Sequence, residues 1–105
     1  MEKLEKLKAF LAESPNDPFL HYAIATEHLK NGALEKGRIK FEYLIENHPS
    51  YVGTYYHLGQ LYERLNQTEN ALNTYQQGMK VAQAQNDHHS LNELQGVFNL
   101  LNENN

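Results

Sequence analysis

The sequence predicts an all-α fold, a solenoid of about six helices paired as antiparallel hairpins. Three observations carry this reading: an internal repeat, turn residues at its joints, and apolar residues at helical spacing. Pro15 and Pro49 stand 34 residues apart, and the same step relates Leu7 to Phe41 to Tyr75 and Leu11 to Ile45 to Met79. Tyr22 and Tyr56, Ile24 and Leu58, Ala25 and Gly59, His28 and Tyr62, Glu35 and Glu69, and Gly37 and Ala71 keep it too. A period of this length is that of a helix-turn-helix unit stacking on its own copies, which points to binding rather than chemistry.

The first element is a capping helix, because Leu4, Leu7 and Leu11 recur at the three-to-four spacing while Glu2, Lys3, Glu5, Lys6 and Lys8 cover the other side. Ser14-Pro15-Asn16-Asp17-Pro18 cannot continue it, and Asp17 with Pro18 makes an N-cap and first-turn pair for the second helix. That helix reaches Asn31, where Gly32 supplies a left-handed stop. The third runs from Ala33 to Asn47, since Pro49 biases His48 away from helical angles. Ser50 is the expected cap of the fourth, Tyr51 to Leu65, which turns at Asn66-Gln67-Thr68 into the fifth, Glu69 to Gln85. Asn86-Asp87 breaks the chain again, with His88-His89 expected in the turn. The last helix opens on a capping box, Ser90 with Glu93, before Leu91, Leu94, Phe98 and Leu101.

The repeat also predicts how the helices pair. Gly59 lets the partner backbone come close, Tyr62 and Tyr75 fill the space beside it, and Ala71 keeps the return helix tight. Ala25, Gly37 and Phe41 do the same one period earlier.

With Tyr55, Leu58-Gly59, Tyr62, Ala71, Tyr75 and Gly78 in place, the second unit resembles the tetratricopeptide repeat family. The first unit carries His21, Ile24-Ala25, His28, Gly37, Phe41, Leu44 and Pro49 at the same spacings, with two aromatic positions turned to histidine. The resemblance covers residues 18 to 85 and implies a single domain over 1–105. Its parts are an N-terminal capping helix in 1–15, one repeat in 18–51, a second in 52–85 and a C-terminal capping helix in 88–102.

Composition narrows the function. The chain has 105 residues, no cysteine and a formal net charge of −4 with nine Lys and Arg. Such a length buries a core without metals or disulfides, and the missing thiols remove cysteine nucleophiles and thiolate zinc sites. The basic residues do not cluster in sequence, so no nucleic-acid partner is expected. Met1 to Ala12 has no continuous apolar run, so neither a signal peptide nor a membrane span is expected and the default location is cytoplasmic.

No catalytic, cofactor or metal site emerges. Ser14, Ser50 and Ser90 are turn or cap residues, and no glycine-rich phosphate loop exists. His21 and His28 lie two turns apart, about 10 Å, too far to share an ion readily, and are expected as packed structural histidines. His88-His89 leave a surface metal site as a minor alternative. Lys3, Lys6 and Lys8 are interrupted by glutamates, which makes them the polar face of a cap rather than a membrane-surface helix.

The family resemblance implies that the first helices of successive repeats line a concave surface. The side chains placed there are Tyr22, Thr26, Leu29 and Lys30, then Tyr56, Gln60, Glu63 and Arg64. From these, Tyr22, Thr26, Lys30, Tyr56, Gln60 and Arg64 are the candidate partner-binding residues. One subclass of the family grips the carboxylate of chaperone tails with lysines and asparagines on these helices. This chain departs from it, because Tyr22 and Tyr56 stand where the first such residue would project, and Thr26 and Gln60 replace the next asparagine. The expected function is a non-catalytic adaptor holding a partner peptide or helix. The alternative is self-association into a homodimer through the last helix, where Val97 and Leu100 widen the apolar stripe.

Overall fold

The structure, a computed structural model, describes residues 2–104, so Met1 and Asn105, the ends of the expected 1–105 domain, lie outside the described residues. Six α-helices follow one another: α1 (Glu2–Glu13), α2 (Pro18–Lys30), α3 (Leu34–Asn47), α4 (Gly53–Arg64), α5 (Thr68–Ala84) and α6 (His88–Glu103). No strand occurs among the described residues. They form two compact units, one ending at Tyr51 and the other beginning at Val52.

In each unit the chain turns by the same device. After α2, α4 and α5 the residues Gly32, Asn66 and Asn86 take positive φ of 78°, 60° and 56°. The following amides, Ala33, Gln67 and Asp87, reach back to the carbonyls of His28, Tyr62 and Ala82 at 2.8, 2.8 and 2.9 Å. This is the Schellman arrangement, which satisfies carbonyls the helix end would otherwise orphan. Asparagine is the side-chain-bearing residue that tolerates the left-handed region, which is why it replaces glycine twice.

The helix starts are less uniform. Asp17 caps α2 as expected, its carboxylate accepting from the Phe19 amide at 2.9 Å with Pro18 in the first turn. Ser50 does not cap α4: Pro49 and Ser50 form the turn, the Tyr51 amide donates to the His48 carbonyl at 3.0 Å, and α4 starts only at Gly53 with no side-chain cap. The physical reason is periodicity, since Tyr51 lies one period after Asp17 and the intervening turn repeats the Asp17 amide to Ser14 carbonyl bond of the first joint. At α6 the cap is Asp87 rather than Ser90. Its carboxylate accepts from the Ser90 amide at 3.1 Å and the Ser90 hydroxyl at 2.7 Å. A carboxylate is favoured at the positive end of the helix dipole, so the helix begins three residues earlier and His88 and His89 form its exposed first turn, not a loop.

In the first unit α1 and α3 pack on α2, burying Leu4, Leu20, Ile24, Ala25, Phe41 and Leu44. Gly37 lies over Ala25 and Leu29; a Cβ there would sit 2.7 Å from Leu29 Cδ2 and 3.3 Å from the Ala25 carbonyl oxygen. In the second unit α4, α5 and α6 bury Tyr55, Leu58, Leu61, Tyr62, Ala71, Tyr75, Ala82 and Leu94. A Cβ on Gly59 would fall under 3.0 Å from three atoms of the Tyr75 ring. One on Gly78 would meet Tyr55 Cβ at 2.5 Å and Leu94 Cδ1 at 3.0 Å, so Gly78 is where all three helices converge. Leu94 is the one residue of α6 that is fully buried.

Gly59 and Gly96 therefore respond oppositely to substitution. Gly59→Leu should lower the urea midpoint by the cost of overpacking, about 1–3 kcal/mol or more. Gly96→Ala, with nothing within 4 Å, should raise it by up to about 1 kcal/mol through helix propensity. Equal midpoints for Gly59→Leu and the parent would show that the α4–α5 pairing is wrong.

Candidate interaction surface

The six candidate residues form two stripes. Tyr22, Thr26 and Lys30 lie at successive turns of α2, and Tyr56, Gln60 and Arg64 at successive turns of α4. Tyr22 is half-buried and packs in its own unit, its ring 6.3 Å edge-on from Phe41 and 5.5 Å from Tyr51. Thr26 donates its hydroxyl to the Ala23 carbonyl at 2.9 Å. Lys30 and Arg64 are exposed, with no carboxylate at ion-pair distance among the described residues. Leu29 leans over Gly37 instead of standing beside Lys30.

On α4, Tyr56 is half-buried and edge-on to His57 at 5.7 Å. Gln60 Nε2 donates to Tyr75 Oη at 2.6 Å, and that hydroxyl donates to Glu63 Oε2 at 2.5 Å. Burial, and then the Glu63 carboxylate, push the Tyr75 phenol well above its ordinary range, so it stays a donor. The network pins Gln60 and Glu63.

The histidines at the aromatic positions are packed. His21 is 5% exposed and His28 8%. His21 Nε2 lies 2.8 Å from the Pro15 carbonyl oxygen and Nδ1 3.3 Å from Lys40 Nζ. A carbonyl can only accept and an ammonium can only donate, so Nε2 carries the proton and the ring is neutral. Burial, and then Lys40 and His48, hold its pKa below the ordinary histidine value against the opposing Pro15 bond; burial, Lys8, Lys36 and Lys40 do so for His28. Among the described residues no group of three His, Cys, Asp or Glu could hold a metal ion. Among the described residues no helix is long and apolar enough to cross a membrane.

A feature the sequence reading missed lies on the first unit. His28, Lys36, Ile39, Lys40 and Tyr43 line a cavity of about 300 Å3. Lys36 and Lys40, and Ile39 and Tyr43, are each spaced by four residues on α3. That pattern is visible in the sequence but reads as an ordinary outer helix face.

The paired helices, their glycine and alanine contacts and their repeated joints define a helical-hairpin repeat protein. No family model and no curated protein matches the chain. Among solved structures, a tetratricopeptide repeat domain protein from Salinibacter ruber matches in solution at 48% identity, covering 83% of this chain and 88% of that one with a TM-score of 0.80. A crystal structure of a tetratricopeptide repeat domain protein from the same organism matches at 47%, covering 83% and 97%, with a TM-score of 0.80. The chain belongs to the tetratricopeptide repeat family. The TPR2B domain of yeast Sti1, solved in complex with pHsp70, shares the fold at 15% identity, covering 97% of this chain and 82% of that one with a TM-score of 0.87.

The neutral histidines predict a pH dependence. A folded pKa below the unfolded value means the unfolded chain binds more protons, so this stability is fully present above about pH 6.5 and is lost as pH falls through the lowered folded values. Urea midpoints should drop between about pH 7 and about pH 5.5, and His21→Asn should flatten the slope. An unchanged midpoint would show that His21 and His28 accept a proton in place.

Proposed function

We propose that this chain is a non-catalytic protein-interaction module, a cytoplasmic adaptor that holds a peptide segment of a partner on the exposed side of its first helices. The observation that carries the reading is the α4 stripe. Tyr56 offers flat, partly covered aromatic area, Gln60 is fixed by Tyr75, and Arg64 is an exposed cation; among the described residues the Gln60 carbonyl oxygen has no hydrogen-bond donor and Arg64 no ion pair. On α2 the same positions hold Tyr22, Thr26 and Lys30. A tyrosine, a fixed polar group and a free cation one turn apart suit a segment bearing an aromatic or a carboxylate. The pHsp70-bound relative supports the general reading, since it uses the same fold to engage another protein.

A second reading, self-association, is favoured by α6. Leu100 is 61% exposed, and Leu91, Val97, Phe98 and Leu101 are only half-buried, more apolar surface than one neighbour covers. Light scattering separates the two, since a concentration-independent monomer removes the second.

With a partner identified by pull-down, Tyr56→Ala should weaken binding by about 1 kcal/mol or more, as truncation of a contact tyrosine does, while leaving the thermal midpoint nearly unchanged. Lost stability with intact binding would place Tyr56 in the core and remove the stripe from the interface.

A further inference from the structure

The cavity on the first unit lies away from the α2 stripe. At about 100° per residue, Tyr22, Thr26 and Lys30 span about 80° of the helix, and His28 falls on the opposite side. At about 300 Å3 it is at the small end of ligand pockets, large enough for one side chain and a polar neighbour. Its wall is apolar in body: Ile39 is 58% exposed and Tyr43 37%, and the lysine stems add methylenes.

Its charge is what sets it apart. Seven of the nine basic residues precede Val52, and most of those seven are neutralised or point elsewhere. Lys3 pairs with Glu27, Lys6 with Glu2, and Arg38 with both Glu35 and Glu42. Lys8, Lys36 and Lys40 have no carboxylate at ion-pair distance among the described residues, yet all three act on His28 at the cavity wall. Arg38 takes up Glu35 and Glu42, two of the three acids of α3, and Glu46 makes no ion pair with a lysine among the described residues. Lys40 is also held in place, with Nζ 3.3 Å from His21 Nδ1 and 5.7 Å from the Tyr43 ring centre. An unneutralised, oriented ammonium beside exposed apolar area is preorganised for an anion on an apolar body.

We propose that this cavity is a second docking site, which takes an acidic segment of a partner protein by seating a leucine- or phenylalanine-sized side chain against Ile39 and Tyr43 and pairing the adjacent carboxylate with Lys36 and Lys40. Burial and Lys8 hold the Lys40 ammonium below the ordinary lysine pKa, and a bound carboxylate would raise it again. The site does not depend on the Tyr56 stripe, and either can fail alone.

The test is a titration of the 15N-labelled protein with acetyl-Asp-Leu-Phe-Glu-amide and with its acetyl-Asn-Leu-Phe-Gln-amide counterpart, followed by two-dimensional NMR. Saturable shifts are expected at His28, Lys36, Ile39, Lys40 and Tyr43 with the acidic peptide, weakening as salt is raised. Lys36→Glu and Ile39→Ser, both at exposed positions, should keep the helical circular dichroism and each lower affinity about tenfold. Absence of saturable shifts up to about 5 mM peptide, beyond the weak limit of useful binding, overturns the proposal. Equal binding of the uncharged peptide, or shifts confined to α4, does the same. Stronger binding to phosphatidylserine vesicles than to the acidic peptide, lost in Ile39→Ser, would reassign the patch to a membrane surface.

Discussion

The structure depends on helix pairs that approach more closely than side chains on both partners would allow. Gly59 against the Tyr75 ring, and Gly37 against Ala25 and Leu29, are the places where one helix gives up its side chain so the other can fill the gap. Dispersion and apolar burial both reward such contact, and both fall steeply with a gap of an ångström. Tyr75 shows how far the arrangement is exploited. Its ring is fully buried against Gly59 while its hydroxyl, also buried, bonds to Gln60 and Glu63, so one residue fills the pair's interior and fixes two side chains of α4.

The joints follow from the same demand. Helices that close must reverse within two or three residues, and a left-handed residue that returns two amides to the last turn does this without leaving carbonyls unsatisfied. Gly32, Asn66 and Asn86 each end a helix this way. The starts are freer, because an N-terminus at the surface can leave its amides to water. That freedom is why α2 and α6 have aspartate caps while α3, α4 and α5 have no side-chain cap bond.

The two units share a helix plan but differ in surface chemistry. The first holds seven of the nine cations, and two without an ion pair, Lys36 and Lys40, line one cavity; the second has Arg64 and Lys80 alone against five acids. A single helix plan thus presents an oriented cationic pocket on one unit and an aromatic stripe with a fixed amide on the other. Binding proteins built from repeats differ in this way, since residues that pack hairpins are constrained while those beside them are free to vary.

The period, the breakers and the apolar spacing carried the helix order, because each acts through local geometry: proline and glycine restrict the backbone where they stand, and a 34-residue step preserves which side of a helix is apolar. The pairing of Gly59 with Tyr75 was legible for the same reason. The start of α4 and the cap of α6 were misplaced, since serine competes with neighbours for the capping role and an aspartate three residues earlier or a turn one period old decides the outcome. Side-chain commitments lay further from view. That Leu29 turns to Gly37, that Gln60 and Glu63 serve Tyr75, and that Lys36 and Lys40 line one cavity with His28 are facts of distance between residues far apart in the chain. The sequence by itself determined the helices, their order and the small-to-large faces that pair them, because those depend on spacing along one chain. Only the tertiary structure decided which polar groups remain free and where spare charge gathers, because hydrogen bonds and ion pairs are assigned by proximity in space.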